Sequence, residues 1–174
     1  MEAQSGMMKD NLLHEFFIDG LKDIYWAENR LLKAIPKMQK EATTVQLEKT
    51  LGQHLEITKE QIQRLDQVFD KLGLKAVGKK CEAMKGLIEE SEDVIDETEE
   101  GSVTRDVGII VSAQKIEHYE IASYGGLAQL ARTMGHDDIA ELLDQTLQEE
   151  KEADRMLTEI AENDINYEAS TEKK

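Results

Sequence analysis

The chain has 174 residues, 40% of them hydrophobic and 33% charged, which suits one globular domain with a genuine core and excludes a disordered chain. Its formal net charge of −16, from 21 basic and 37 acidic residues, opposes binding to nucleic acid or to an anionic membrane and suits attraction of cations. One proline, 5% aromatics and an abundance of Ala, Leu, Glu, Lys and Gln favour helix, so the expected class is all-α.

Residues 1–8 are small and polar and read as a flexible N-terminus without the charged-then-apolar pattern of a signal peptide. Asp10 or Asn11 can cap a first helix over about 10–42, with Leu13, Phe17, Leu21, Ile24, Glu28, Leu31, Ile35 and Met38 on one stripe. Glu28 is a carboxylate in an apolar seam. Pro36 removes a backbone donor and predicts a bend. Thr43 with Gln46 fits a capping box for a second helix over 44–72, ending at Gly73. Its stripe is Leu47, Leu51, His54 with Leu55, Thr58, Ile62, Leu65 and Phe69, with His54 and Thr58 as polar intrusions.

A basic loop, Lys75–Lys80, leads to Cys81 and a short amphipathic helix over 82–98, whose acidic outer face reads as solvated. The single cysteine excludes an intramolecular disulfide and any CxxC pair, and a reducing cytoplasm is the expected location. Ser102 can cap a third long helix over 102–134, with Gly135 at its end. Asp138 with Glu141 fits a capping box for a fourth over 138–163, where Glu150 and Asp154 interrupt the apolar stripe. Residues 167–174 read as a flexible tail. No apolar run is long enough to span a membrane. Four long helices, tightly joined in pairs with one long middle link, predict a four-helix bundle over 9–166 with one crossover connection.

The two hairpins repeat weakly. Ile24–Glu28 aligns with Ile116–Glu120, and Thr50–His54 aligns with Thr146–Glu150. The polar intrusions superpose: Glu28 with Glu120, His54 with Glu150, Thr58 with Asp154. Glu117 faces Tyr25. A pseudo-twofold arrangement would bring Glu28, His54, Glu117, Glu120, Glu150 and Asp154 into one layer of the core. No lysine or arginine lies on the same stripes at that level. Buried carboxylates without a counter-charge are unstable as anions, so cations are the economical partner. Carboxylates with one imidazole suit iron or manganese better than structural zinc. Any one of these residues alone reads as an interface or core group; their coincidence on four helices carries the metal reading. Tyr25 and Tyr124 read as aromatics whose hydroxyls bond the carboxylates, with Thr58 nearby. His14, His118 and His136 read as structural or exposed.

The stretches Tyr25–Glu28, His54–Thr58, Ile116–Gly125 and Glu149–Asp154 resemble the YciE/YciF group of ferritin-like proteins, over roughly residues 10–163. The resemblance implies a ferritin-like bundle with an extra helix, a homodimer and a carboxylate-bridged dinuclear metal centre like that of rubrerythrins. It implies two iron ions per chain, or manganese, meeting oxygen or peroxide in protection against iron or oxidative stress. Glu117-x-x-Glu120 looks like the rubrerythrin variant. The second and fourth long helices depart from the wider pattern, because neither carries Glu-x-x-His. Glu56, common in the group's motif, is a lesser candidate ligand, on the far side of its helix from His54. Without a CxxC pair there is no rubredoxin-like iron centre. A non-catalytic, stress-related bundle with a decayed metal site is the alternative; iron storage is a third, without visible shell-forming surfaces.

Overall fold

A computed structural model describes residues 11–173. The stretch 1–8, expected to be flexible, and the cap considered at Asp10 lie outside the described residues, as does Lys174. Among the described residues the elements are α1 (Leu12–Glu41), α2 (Val45–Lys71), α3 (Glu82–Glu97), α4 (Val103–Thr133), α5 (Asp137–Ile160), a π-helical turn (Ala161–Ile165) and α6 (Asn166–Thr171). The pairs α1–α2 and α4–α5 are the hairpins, and they meet along α2 with α5 and α1 with α4. The long link carries α3, which packs mainly on α4. The fold is an all-α bundle.

Helix formation follows from spacing. The buried face of α1 runs Phe17, Leu21, Ile24, Glu28, Leu31, Ile35 and Met38, in alternating steps of four and three. Leu13, expected on this stripe, is 36% exposed, so the buried face starts one turn later. Pro36 sits on the exposed side, and α1 continues past it to Glu41 rather than ending there. Both α2 and α4 stop at a glycine with positive φ, Gly73 at 68° and Gly135 at 77°. In each the following residue donates back into the last turn, Leu74 to the Phe69 carbonyl at 3.0 Å and His136 to the Ala131 carbonyl at 2.9 Å.

Three expected termini differ in the structure, two of them through distant partners. The N-cap of α2 is Thr44, not Thr43, and its hydroxyl accepts weakly from Leu47 N–H at 3.4 Å. The reason lies on α4: buried Asp106 accepts from the N–H groups of Thr43 and Thr44 at 2.7 and 2.8 Å. A distant carboxylate thus does what a local capping box was expected to do. At α5 the N-cap position is His136, with no side-chain cap bond, because the turn out of α4 leads into α5 at once. Asp137 and Asp138 lie inside the first turn, and Asp138 pairs with Lys71 at 2.7 Å. Residues 167–171, expected in a loose tail, are helical. Buried Ile165 anchors the π turn to the core, and Glu172 accepts from Val103 and Thr104 N–H at 2.8 and 3.0 Å, capping α4.

Beside Asp106, Arg105 donates to the Thr98 carbonyl at 2.6 Å and to Glu41 at 2.6 Å. Two adjacent residues in the first turn of α4 therefore tie down the ends of α1 and α3 and the start of α2. Asp106→Ala leaves two backbone donors without their acceptor and is expected to cost about 2–3 kcal/mol. Glu172→Ala, at an exposed cap, is expected to cost a small fraction of that. Urea unfolding midpoints of the two variants against the parent chain check the difference.

Candidate metal centre

The site begins on α4. Glu117, Glu120 and Tyr124 follow one another at steps of three and four on the inner face of that helix. Glu28 comes from the middle of the α1 seam, His54 from α2 and Glu150 from α5. Exposures are 0% for Glu28, Glu120 and Glu150, 3% for Glu117 and 8% for His54. His54, Glu117, Glu120 and Glu150 each offer a ligand atom within 4.8 Å of the others. His54 Nε2 lies 3.3 Å from Glu117 Oε1 and 3.8 Å from Glu150 Oε2.

Glu28 joins the group through its neighbours. Its Oε1 accepts from the Tyr124 hydroxyl, and its carboxyl lies beside that of Glu120. One side of the site is apolar, with Leu31, Ile35, Leu51 and Ile116 around His54 and Glu117. Electrostatics follow from that burial. Desolvation pushes the Glu28 carboxyl up to about 8, with the charge of Glu150 adding to it. Glu120 is raised well above the carboxylate range by desolvation and then by Glu28, Glu150 and Glu117. Glu117 is raised by desolvation and by its contact with Glu150. Desolvation and the charge of Glu28 likewise raise the Tyr124 phenol, which stays a donor.

Among the described residues no lysine or arginine bonds to these four glutamates. Polar atoms without a partner include Glu28 Oε2, Glu117 Oε2, both oxygens of Glu120, Glu150 Oε2 and His54 Nδ1. A fully buried carboxylate with both oxygens idle is a cost that a cation or a proton must offset. A donor set of carboxylate oxygens and one imidazole fits iron or manganese.

The other expected site residues fall elsewhere. Asp154 is half-buried and stands outside the four-residue group; His118 holds its Oδ1 at 3.2 Å and Gln114 donates to it at 3.2 Å. Its charge is felt at Glu117, so it borders the site. Glu56 is exposed and paired with Lys59 at 2.6 Å, which removes it from the ligand set. Thr58 is buried but donates to the His54 carbonyl at 3.0 Å, bonding its own helix and no carboxylate. Tyr25 packs edge-on to Phe69 with ring centroids 5.6 Å apart and turns its hydroxyl toward Asp66. Only Tyr124 bonds a site carboxylate as expected of the two tyrosines.

Sequence reasoning missed Gln61 and Arg64. Gln61 is fully buried and donates to Glu150 Oε1, with a second contact to Glu149 at 3.2 Å. Arg64, 7% exposed, bonds Thr146 at 2.6 Å and grips Glu149 through two bonds at 2.8 and 2.9 Å. One buried cation therefore does lie on the inner face of α2, but it is spent on Glu149. Continuing the steps from His54 and Thr58 to residue 61, one heptad on from His54, would have found Gln61. Placing Ile62 on the stripe turned the helix one residue too far.

Residues 12–170 match the family described as "Domain of unknown function (DUF892)". The protein YciF of Escherichia coli K12 is 45% identical over 163 residues, 93% of this chain and 98% of YciF. The crystal structure of YciF, described as an E. coli stress protein, superposes with a TM-score of 0.85 at 44% identity, covering 90% of this chain and 98% of that one. YcfI of Rhodopseudomonas palustris gives a TM-score of 0.83 at 44% identity over 85% and 94% of the two chains. A protein from Xanthomonas campestris at 24% identity, TM-score 0.65, shares the fold over 85% and 89%. By sequence and fold together, the chain belongs to the YciE/YciF family.

Proposed function

We propose that this protein binds two iron ions in the core of its bundle and oxidises iron(II) with oxygen or peroxide. The observation that carries this reading is the group His54, Glu117, Glu120 and Glu150, buried and mutually within 4.8 Å, beside Glu28 and, among the described residues, with no lysine or arginine bonded to its carboxyls. Charge argues for two ions. Glu28, Glu117, Glu120 and Glu150 carry four negative charges when ionised, which one divalent ion halves and two cancel. His54, Glu117, Glu120 and Glu150 would hold one ion, and Glu28 with Glu120 and Glu150 would extend the site to a second. Manganese suits the same donors.

Bound there, iron supplies the electrons that reduce the oxidant. The chain supplies the rest. Tyr124 keeps a proton on its hydroxyl and aims it at Glu28 Oε1. Gln61 fixes Glu150 through Oε1 and leaves Oε2 idle toward the site. His54 offers Nε2 to the centre. Glu117 and Glu120, protonated in the metal-free core, must release protons as cations enter. We also propose a homodimer, which a mass measurement in solution checks, and a role in iron or oxidative stress.

Anaerobic titration with iron(II) should load about two equivalents per chain. Glu120→Ala should abolish that uptake, since it removes both idle oxygens at the centre of the group. Absence of uptake by the parent chain sinks the proposal.

A second reading has one observation in its favour: Tyr124 and Gln61 already satisfy Glu28 Oε1 and Glu150 Oε1 without metal. On that reading the core is a decayed site in a non-catalytic stress-related bundle. Stability with and without iron(II), read against its pH dependence, separates the two. Glu28 in the metal-free fold is raised from 4.5 to about 8, so the fold holds a proton that the unfolded chain has lost. Its contribution to stability is full below pH 4.5 and is lost as pH rises through about 8. Metal-free protein should therefore melt progressively lower from about pH 5 to 8. Glu120→Gln should flatten that fall. Iron(II) at pH 7.5 should raise the melting temperature of the parent chain but not of Glu120→Gln. Equal melting of both with and without iron(II) would favour the decayed site.

A further inference from the structure

Of the four clustered residues, His54 alone lines an open groove between α2 and α5. Its side chain is 10% exposed, against 4% for Glu117 and 0% for Glu150, so the centre meets the outside at this imidazole. The groove holds about 560 Å³, far more than the ~30 Å³ a water-sized molecule occupies. It falls in the size range of small-molecule sites. Beside His54, its surface is made largely apolar by Ile57, Ala153 and Met156.

Charge narrows the occupant. The chain is strongly acidic, yet the polar groups of the groove include the neutral amides of Gln53, Gln145 and Gln148. Its two carboxylates are both paired. Glu149 is held by Arg64 at 2.8 and 2.9 Å, and Glu152 by Arg155 at 2.9 Å. A surface built to draw in iron(II) would leave carboxylates free. This one suits an uncharged molecule with an apolar body and a small polar end.

We propose that the α2–α5 groove binds an uncharged organic hydroperoxide and presents its peroxide end at His54. The proposal rests on the iron-oxidising reading above and names its oxidant. The O–O bond of the hydroperoxide breaks. Two iron(II) ions, as reductant, each give one electron, and two protons come from solvent. The products are the alcohol, one water and two iron(III) ions.

Binding is tested first on metal-free protein with 2-phenyl-2-propanol, the redox-inert alcohol of cumene hydroperoxide. The Met156 methyl resonance should shift saturably, and Ala153→Trp or Gln148→Trp should weaken that binding about tenfold by filling the groove. Val111→Trp, on α4 away from the groove, should leave it in place. In iron(II)-loaded protein the KM for cumene hydroperoxide should lie below that for hydrogen peroxide. Ala153→Trp and Gln148→Trp should raise it about tenfold. No saturable shift in the parent chain overturns the proposal. So does a KM equal for both peroxides and equally raised by the variants, which would make the groove a common passage. If the tryptophan variants convert a dimer to a monomer and the parent binds no probe, the groove is an interface between copies and the proposal falls. Probe binding without any iron uptake overturns the iron reading and the peroxide step with it, and leaves a ligand groove standing.

Discussion

Four glutamates buried in one layer of a helical bundle, with no lysine or arginine bonded to them among the described residues, are the constraint on which the rest of this structure depends. Such a layer cannot stay fully ionised in a low-dielectric core. Three responses are visible. Neutral donors take two of the oxygens, Tyr124 at Glu28 and Gln61 at Glu150. Burial raises Glu28, Glu117 and Glu120 so that protons are retained. Oxygens on all four glutamates stay idle, which is the capacity a cation would use. The apolar layers above and below stabilise the bundle, and they also sharpen the electrostatics by keeping water away from the carboxylates.

Much of the fold was legible because it is local. Alternating steps of three and four, single glycines at helix ends and a Ser102 cap define α1, α2 and α4 closely. What escaped was set by distant partners. Asp106 caps α2 from 62 residues away, and Glu172 caps α4 from the far end of the chain. Neither bond leaves a trace in the spacing of either segment. The π turn at Ala161–Ile165 is equally silent, since one extra residue per turn lets Ile165 stay buried without a change of composition.

The candidate site was legible to the extent that its residues share a helical face with apolar neighbours. Glu28, Glu117, Glu120 and Tyr124 interrupt strong stripes, and the structure buries them all. Asp154 shows the limit of the hairpin repeat. It sits four residues beyond Glu150 as Thr58 does beyond His54, yet His118 and Gln114 hold it to one side. Glu56 shows the converse. A motif position marked it, but the helix turns it to solvent beside Lys59. Gln61 was hidden because an amide on a polar-rich helix carries no signal until the phase of that helix is known.

The contacts that escaped also explain why site and fold are one problem here. Each hairpin reaches across to the other. From the first, Gln61 donates to Glu150 and His54 meets Glu117. From the second, Tyr124 donates to Glu28. These contacts run both ways, and those of Gln61 and Tyr124 set a neutral donor of one hairpin against a carboxyl of the other. Repulsion across the docked layer is least when the carboxyls are either protonated or metal-bound. Docked with four bare carboxylates, the same layer would push the hairpins apart. A cation in this layer adds cross-hairpin links in place of protons, so occupancy of the site and cohesion of the bundle rise together.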